Sequence, residues 1–287
     1  MDRDNEADSG PDLFRGRTVV IATMHGKEAV IASALEQALG VRCQLPEGLN
    51  TDEFGTFTGE TKRPGTALEA ARLKLRKALA LTGESVGVAS EGSFGPHPYF
   101  PFVAADLELL VFADLRNNLE ITAEHISTQT NFASLTTASL DEVLRFAEAA
   151  RFPSHGLILK GEGFPTVKGL HDPGELRARA AAFLQKRPDI TVETDMRALH
   201  NPTRMQVIAE CTTKLIEKLE SRCPACRCPG FDRVERIPGL PCGHCGLPTR
   251  GIRSELYRCV RCGFGQEKVH PGGEPCADPM YCDFCNP

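Results

Sequence analysis

The sequence lacks tryptophan, has only three tyrosines among its 287 residues, and contains no long apolar run. We therefore expect a core built mainly from aliphatic side chains. No apolar run approaches the roughly 18 to 20 residues of a membrane-spanning helix, so we expect no membrane segment. The 33 lysines and arginines do not outnumber the 38 acidic residues, which argues against a basic surface that binds nucleic acid.

The beginning of the chain also lacks the features of a secretory signal. Residues 1–16, MDRDNEADSGPDLFRG, are polar and acidic, without the basic start and apolar centre of a signal peptide. This composition predicts a disordered tail and a cytoplasmic protein. Cysteines become frequent after residue 220, so we expect one folded domain over residues 17–220 and a second over residues 221–287.

Residues 17–220 alternate short apolar runs with amphipathic segments. The predicted strands cover residues 17–24, 85–90, 107–113, 119–126, 156–161 and 190–193. Predicted helices cover residues 27–39, 66–81, 172–186 and 201–221, and another begins at Ser139. Thr66 and Glu69 form a capping-box pattern, and Asn117-Asn118 suits a tight hairpin turn. This order predicts an α/β fold with a mixed sheet and flanking helices.

Ten of the twelve cysteines fall between residues 223 and 285. In a reducing compartment they indicate metal binding rather than disulfides. Eight of them form CxxC pairs, a spacing that lets two thiolates reach one ion from one tight turn. Two pairs complete one tetrahedral site, so the pattern predicts two structural zinc ions, with an iron–sulfur cluster or redox dithiols as alternatives. The pairs are Cys223/Cys226, Cys242/Cys245, Cys259/Cys262 and Cys282/Cys285.

The order in which these pairs combine is less constrained than their number. The segment CGHCGLPTRGIRSELYRCVRCG suggests one self-contained zinc ribbon, which would leave the first and last pairs to form a second, nested site. Sequential and crossed pairings stay open, and His244 or His270 could replace a cysteine ligand. A double zinc ribbon of this kind could also bind a partner protein.

The segment TMHGKE, residues 23–28, joins the first predicted strand to the first predicted helix. A helix N-terminus offers N–H groups and a positive dipole end, and Gly26 would let an anion come close to the backbone. Lys27 adds a positive charge. The Walker spacing GxxxxGK[ST] is absent, and the alternative is that this segment is only a turn.

Four segments resemble the inosine-triphosphate pyrophosphatase superfamily: IATMHGKEAV, GETKRPGTALEAARLKL, GVASEGSFG and, more loosely, DMRALHNPTR. The first three span about residues 17–130 in the order that the superfamily uses. The resemblance implies a phosphorylated ligand, such as a nucleotide, and possible use of magnesium. The implied phosphate contacts are Thr23, His25, Gly26, Lys27, Lys62 and Arg63, and the implied magnesium ligands or bases are Glu60, Glu69 and Glu91. Arg197 and Arg204 are further candidates for contact with phosphate or base, and the alternative is that they simply pair with acidic residues.

The whole chain also resembles an uncharacterised bacterial family, a domain of unknown function. The segments NPTRM, CPAC, GLPCGHCGLPT and DPMYCDFCNP carry this second resemblance, which implies no activity. Two functional hypotheses follow from the residues and resemblances together. The first is a magnesium-dependent nucleotide phosphohydrolase or a nucleotide sensor derived from one, and the second is a non-enzymatic adaptor whose zinc ribbon binds a partner protein.

Overall fold

A computed structural model describes residues 13–49 and 65–287 of the chain. These residues divide into two compact units, one formed by Phe14–Leu215 and the other containing Ile216–Pro287. Three residues of the predicted phosphate and magnesium site, Glu60, Lys62 and Arg63, lie outside the described residues, as does most of the predicted N-terminal tail.

The first sheet of the α/β unit contains five strands: β1 (Thr18–Ala22), β2 (Arg42–Gln44), β3 (Val86–Pro96), β4 (Ala104–Asp114) and β5 (Leu119–Ser127). Their order across the sheet is β2-β1-β3-β4-β5. Strand β1 runs parallel to β2 and β3, whereas β3, β4 and β5 form an antiparallel meander. The predicted mixed sheet is therefore confirmed.

Helix α1 (Glu28–Leu39) lies between β1 and β2 in the chain, and helix α2 (Ala67–Thr82) lies between β2 and β3. The Thr66 hydroxyl accepts a hydrogen bond from the Glu69 N–H, and the Glu69 carboxylate accepts one from the Thr66 N–H, so the predicted capping box is confirmed. Gly83 ends α2 in the left-handed conformation that glycine adopts at little cost. The apolar face of α2 packs on the sheet through Ala71, Leu75, Ala78, Leu79, Val20, Ala22, Ala89, Leu109, Val111 and Ala113.

Strand β3 is longer than the sequence predicts. The expected strand ends at Ser90 with a loop after it, but the segment EGSFGP continues the strand to Pro96 and pairs residue by residue with β4. Glycine and serine are weak strand formers on their own. A continuous ladder with the more apolar β4 overrides that local preference. The turn between β4 and β5 contains Asn118 at φ 46°, as expected for a tight hairpin.

A second, antiparallel sheet completes the α/β unit and was not predicted as a separate layer. It contains β6 (Ser134–Thr137), β7 (Leu157–Lys160), β8 (Val167–Leu170) and β9 (Ile190–Thr194) in the order β6-β9-β7-β8. Strands β6 and β8 have only four residues each and little apolar periodicity, which explains why the sequence pattern does not reveal them.

Helices α3 (Leu140–Ala149) and α4 (Pro173–Leu184) pack on this second sheet, and α5 (Pro202–Glu220) follows β9. At the start of α3, Ser139 and Glu142 form only one half of a capping box. The Ser139 hydroxyl accepts the Glu142 N–H, but the Glu142 carboxylate accepts a hydrogen bond from the Thr137 hydroxyl instead. Within the described ranges, no helix combines the length and apolar character that crossing a membrane requires.

The C-terminal unit contains one three-stranded antiparallel sheet. Its strands are β10 (Asp232–Pro238), β11 (Ile252–Arg258) and β12 (Gly265–Val269), in sequential order. The sheet has few buried apolar side chains, since most of β10 and all of β12 are exposed. A unit of this size with so small an apolar core needs another source of stability.

Candidate metal centres and candidate active site

The four CxxC pairs share one backbone geometry. In each pair, the N–H that follows the second cysteine donates to the carbonyl of the first cysteine, over 2.9 to 3.1 Å. Arg227, Gly246 and Gly263 occupy this position at positive φ in the first three pairs, which closes the turn tightly. The donors and acceptors are Arg227 and Cys223, Gly246 and Cys242, Gly263 and Cys259, and Asn286 and Cys282.

The pairs combine in an interleaved order, first with third and second with fourth. Two clusters of four cysteine sulfurs result, in each of which all sulfurs lie within 4.8 Å of one another. The nested pairing favoured by the sequence is therefore wrong, and the crossed alternative is correct. Neither His244 nor His270 belongs to these clusters. The first tetrad contains Cys223, Cys226, Cys259 and Cys262, and the second contains Cys242, Cys245, Cys282 and Cys285.

Sulfur separations within the tetrads match tetrahedral metal coordination. The closest Sγ···Sγ distances are 3.6 and 3.7 Å in the first tetrad and 3.7 and 3.9 Å in the second. A zinc ion with bonds of about 2.3 Å would separate its sulfurs by about 3.8 Å, whereas a disulfide needs about 2 Å. Each tetrad could therefore hold one metal ion, and four sulfur ligands would leave no open position for a substrate.

Backbone dipoles already favour thiolates at the first cysteines of the middle two pairs. Hydrogen bonds from the Cys245 and His244 N–H groups lower the pKa of the Cys242 thiol to about 6. Burial raises the pKa of Cys259, but the Cys262 and Arg261 N–H groups outweigh that effect and lower it to about 7. Because metals bind the thiolate form, these two turns favour metal binding at Cys242 and Cys259. Burial and the neighbouring cysteines raise the pKa of Cys226 to about 12, and the neighbouring cysteines and burial do the same for Cys285.

The predicted anion-binding junction in the α/β unit has an unusual backbone. His25 and Gly26 adopt consecutive positive φ angles of 68° and 81°. The first hydrogen bond of α1 joins the Ala29 N–H to the Gly26 carbonyl, so the N–H groups of Lys27 and Glu28 lie before it. Among the described residues, no side chain caps this helix end. Among the residues that the structure describes, the Lys27 and Glu28 N–H groups thus lie outside the helical hydrogen bonds, an arrangement that favours an anion.

Five buried side chains meet behind this junction, and we call them the charged cluster: Lys27, Ser90, Asp106, Glu108 and Arg204. The Lys27 ammonium lies 3.2 Å from the Ser90 hydroxyl and 3.7 Å from the Glu108 carboxylate. On its other oxygen, Glu108 accepts a hydrogen bond of 2.7 Å from Arg204. The cluster thus joins α1, β3, β4 and α5.

Burial perturbs the titration of two members of the charged cluster. It lowers the pKa of Lys27 to about 8, although the Glu108 carboxylate opposes this shift. Burial and the Glu108 carboxylate together raise the pKa of Asp106 to about 8. At neutral pH, Asp106 is therefore protonated, and the two cations Lys27 and Arg204 face one carboxylate. The balance of charge in the cluster is positive.

The Asp106 carboxyl group has the least complete set of contacts in the charged cluster. The side chain is fully buried, yet neither of its oxygens receives a hydrogen bond from any donor in the described part of the chain. A buried polar group without a donor costs roughly 1 to 3 kcal/mol, which most proteins avoid. The proton of neutral Asp106 can be donated to the neighbouring Glu108 carboxylate, and a water, ligand or ion could complete the remaining contacts.

Gly92 and Phe94 explain how β3 accommodates this cluster. Gly92 lies opposite Glu108 in the ladder, and a Cβ atom there would stand 2.4 Å from the Arg204 guanidinium. Phe94 places its ring 4.9 Å from the same guanidinium, in cation–π geometry. The Arg204 side chain is thus held from several sides, including by the Met196 carbonyl.

Two predicted acidic residues lie away from the charged cluster. Because side chains alternate along a strand, Glu91 lies on the opposite face of β3 from Ser90, and it pairs with Lys74 of α2. Glu69 is exposed and forms the capping box described above. The structure thus brings together Thr23, Lys27, Ser90 and Arg204, with a Thr23–Ser90 hydroxyl distance of 3.3 Å, but not Glu69 or Glu91.

Sequence reasoning missed Asp106 and Glu108, the two acids of the cluster. They stand two residues apart in the strand segment AADLELLVFA, so alternation puts both on one face. Two carboxylates on one face of an otherwise apolar strand were the available signal.

These features define a two-unit protein with an α/β part and a cysteine-rich part that could hold two metal ions. The chain belongs to the family described as Domain of unknown function (DUF6671), whose model matches residues 74–287. That match includes both tetrads and Asp106, Glu108 and Arg204, whereas Lys27 and the junction precede it. No curated protein matches the chain.

Proposed function

We propose that the α/β unit binds a nucleoside triphosphate, or another phosphorylated small molecule, at the junction and hydrolyses it with magnesium. We further propose that the C-terminal unit folds around two structural zinc ions. The observation that carries the first proposal is the buried, positively balanced charged cluster directly behind a helix N-terminus. The observation that carries the second is the sulfur spacing of the two tetrads.

Phosphate binding at the junction would use two kinds of positive group. The N–H groups at the start of α1 supply partial positive charge, and the Lys27 ammonium supplies a full charge. The Glu108 carboxylate, which is itself held by Arg204, positions Lys27 within the cluster. Low exposure strengthens these interactions, since water screens them less. The order of the segments that resemble the inosine-triphosphate pyrophosphatase superfamily supports the same assignment.

The residues of the charged cluster also fit magnesium. Proteins commonly hold this ion through one or two carboxylates together with substrate phosphates and water. Asp106 offers carboxylate oxygens without a donor, and Glu108 lies two residues away on the same face. When bound, magnesium would neutralise phosphate charge and lower the pKa of a bound water. Its binding would also require Asp106 to lose its proton.

The decisive experiment measures phosphate and pyrophosphate release from a panel of nucleoside triphosphates, with and without magnesium. We expect magnesium-dependent release from the natural protein and at least about a 100-fold loss in Asp106→Asn. This variant preserves shape and the neutral state of Asp106, so its melting temperature should change little. Lys27→Met should weaken binding of inorganic pyrophosphate.

Glu69→Gln is the matched control for these variants, because it removes a carboxylate that the structure assigns to helix capping. It should retain full activity. If the natural protein releases nothing from any member of the panel and binds no pyrophosphate, the proposed nucleotide function is wrong. If Glu69→Gln loses activity while Asp106→Asn keeps it, the acidic group has been assigned to the wrong residue.

A second candidate function is an adaptor that uses the C-terminal unit to bind a partner protein. The observation in its favour is a set of exposed apolar side chains around the last cysteine pair, Met280, Tyr281 and Phe284, which are 58, 68 and 72% exposed. Replacing all three with serine should abolish association with that partner while Lys27→Met leaves it unchanged. A purified complex that survives the triple replacement would contradict the adaptor function.

A further inference from the structure

Two histidines form a hydrogen-bonded pair beside the junction. His171 Nε2 lies 2.9 Å from His200 Nδ1, and His171 Nδ1 lies 2.8 Å from the Pro153 carbonyl oxygen. Two glycines make room for the pair. A Cβ atom at Gly156 would stand 3.0 Å from His171 Nε2, and one at Gly169 would stand 2.9 Å from His200 Nε2. The absence of side chains at Gly156 and Gly169 therefore leaves space for both imidazole rings.

The Pro153 carbonyl determines which nitrogens of the pair carry protons. A carbonyl oxygen can only accept, so His171 Nδ1 must donate to it. In its neutral form, His171 then has a lone pair on Nε2, and His200 Nδ1 must donate to that nitrogen. Neutral His200 consequently has no proton on Nε2. The chain of hydrogen bonds leaves one basic nitrogen, His200 Nε2, at its end.

The surroundings of His200 disfavour its charged form and lower its pKa. Burial is the largest influence on the pKa of His200 and lowers it; Asp195 opposes this shift, whereas Arg197, His171 and His25 reinforce it. The Asp195 carboxylate is already engaged by the Arg197 guanidinium, by hydrogen bonds of 3.0 and 2.6 Å, and by the Gly169 N–H. Asp195 therefore has little capacity left to stabilise a charged His200.

The short helical turn that carries His200 lies against the junction. Residues Ala198–His200 form this turn, and a Cβ atom at Gly26 would stand 3.4 Å from the Leu199 Cβ. His25 is near enough to influence His200 electrostatically. A ligand bound at the N-terminus of α1 would therefore have His200 at its border.

We propose that His200 Nε2 accepts the proton of the water that attacks the phosphoryl group at the junction, and that His171 is the residue that positions it. This inference rests on the proposed function. In the step, the water O–H bond breaks and its proton moves to Nε2. The water oxygen forms a bond to phosphorus, and the bond from phosphorus to the leaving phosphate oxygen breaks. The imidazolium then returns the proton to the leaving group or to solvent.

The tautomer is measured first, because it does not depend on activity. Long-range ¹H–¹⁵N NMR of the full-length protein should show His200 protonated at Nδ1 and bare at Nε2. His171→Phe removes the acceptor and should shift His200 toward the Nε2-protonated form. His171→Gln offers an amide oxygen and should restore the original tautomer at least partly. A natural protein with Nε2 protonated would overturn the inference.

Kinetics test the role of the bare nitrogen. His200→Gln should lower kcat by about 100-fold with little change in KM, and the low-pH limb of the kcat profile should disappear. His171→Phe should shift the apparent pKa of that limb, and His171→Gln should shift it less. His97→Gln, on the exposed end of the β3–β4 hairpin, is the matched control and should behave as the natural protein.

The two proposals can fail separately. If no nucleotide is hydrolysed, titration with inorganic pyrophosphate still reports on His200. A change in the Nε2 resonance that His171→Phe abolishes would then support His200 as a hydrogen-bond acceptor beside the bound anion, while hydrolysis and the proton transfer would both be rejected. No change at Nε2 would overturn the inference. Hydrolysis that His200→Gln leaves unaltered would overturn it as well, while the proposed function would stand.

Discussion

The cysteine tetrads and the charged cluster gather ionisable side chains in opposite ways. Each tetrad brings together four groups that would carry the same charge as thiolates, at separations below 4 Å for the closest pairs. The charged cluster instead alternates cations with carboxylates, so that Lys27, Glu108 and Arg204 satisfy one another. In the described part of the chain, neither oxygen of Asp106 has a hydrogen-bond donor, and the Oε2 atom of Glu108 has only the Lys27 ammonium at 3.7 Å.

This difference determines how clearly each arrangement indicates that it binds a metal ion or a ligand. Four thiolates in contact repel one another unless a cation lies among them, so each tetrad by itself indicates a group that could hold a metal ion. A cluster of cations and carboxylates can be neutral and stable with no ligand. Evidence for a function must therefore come from side chains whose pKa values are shifted. Here these shifts are the raised pKa of Asp106 and the lowered pKa of Lys27, both to about 8.

The largest effects should come from breaking the tetrads. The natural protein, purified under reducing conditions, should contain two zinc ions per chain by elemental analysis. The double variant Cys223→Ser with Cys259→Ser damages one interleaved site and should keep one ion. Cys242→Ser with Cys259→Ser damages both sites and should keep none. Each lost site removes on the order of 10 kcal/mol of apparent metal-binding free energy, enough to unfold the C-terminal unit.

The nested pairing makes the reverse prediction, because it assigns Cys242 and Cys259 to one site. One retained ion in that variant, and none in the Cys223 and Cys259 variant, would therefore contradict the interleaved structure. Cys276→Ser is the control, since Cys276 is exposed and belongs to neither tetrad. It should retain both ions.

The next largest effect should come from leaving a carboxylate unpaired in the charged cluster. Arg204→Leu removes the closer cation from the fully buried Glu108 carboxylate and leaves it with Lys27, at 3.7 Å. We expect a loss of about 3 to 5 kcal/mol in the free energy of unfolding of the α/β unit. Urea unfolding would measure it. Adding Glu108→Gln should recover part of the loss, because the buried charge is then gone.

Arg145→Leu provides the contrast for this measurement. Arg145 is 72% exposed and lies 3.9 Å from Glu142, an ordinary surface pair. Its loss should change the free energy of unfolding by less than about 0.5 kcal/mol. Equal effects at Arg145 and Arg204 would show that the buried cluster is no more strongly coupled than the surface.

The sequence predicted much of the C-terminal chemistry because its signal is local. A CxxC pair sits within one turn, and the turn geometry depends on the pair and the residue after it, such as Gly246 or Gly263. The pairing of distant turns depends on how β10 and β11 align, which no local spacing encodes. This is why the ligands were predictable, whereas their interleaved order was not.

In the α/β unit, the sequence indicated individual candidate residues but not which of them come into contact. Lys27 and Arg204 were identifiable as candidate phosphate contacts, but they are 177 positions apart and meet only through Glu108. Glu91 and Ser90 are neighbours in sequence, yet strand alternation sends them to opposite faces. The extension of β3 past Ser90 sets that alternation, and it depends on pairing with β4 rather than on local propensity.

A smaller effect should appear in the pH dependence of stability. The pKa of Asp106 is raised from 3.8 to about 8 by burial and Glu108. The folded state therefore binds this proton more tightly than the unfolded state, and the free energy of unfolding should fall as pH rises from about 4 to 8. Relative to Asp106→Asn, the slope should approach about 1.4 kcal/mol per pH unit at most.

Lys27 should produce the opposite trend at higher pH. Its pKa is lowered from 10.5 to about 8, so the unfolded state binds this proton more tightly. Between about pH 8 and 10.5 the free energy of unfolding should therefore rise, and Lys27→Met should remove that rise. Urea unfolding at pH 5, 6.5, 8 and 9.5 covers both windows. Parallel curves for Asp106→Asn and the natural protein would mean that Asp106 is ionised at neutral pH.

The smallest effect tests whether the Thr66–Glu69 pair is only structural. Thr66→Ala removes the hydroxyl that accepts the Glu69 N–H and should lower the free energy of unfolding by about 1 kcal/mol. Glu69→Gln keeps a side chain that can accept from the Thr66 N–H, so its effect should be smaller. Neither should alter nucleotide hydrolysis, because Glu69 is exposed and its carboxylate is committed to the start of α2. A loss of hydrolysis in Glu69→Gln without a loss of stability would return Glu69 to the candidate acidic residues of the site. The charged cluster would then supply the cations of the site, and Glu69 would supply its carboxylate.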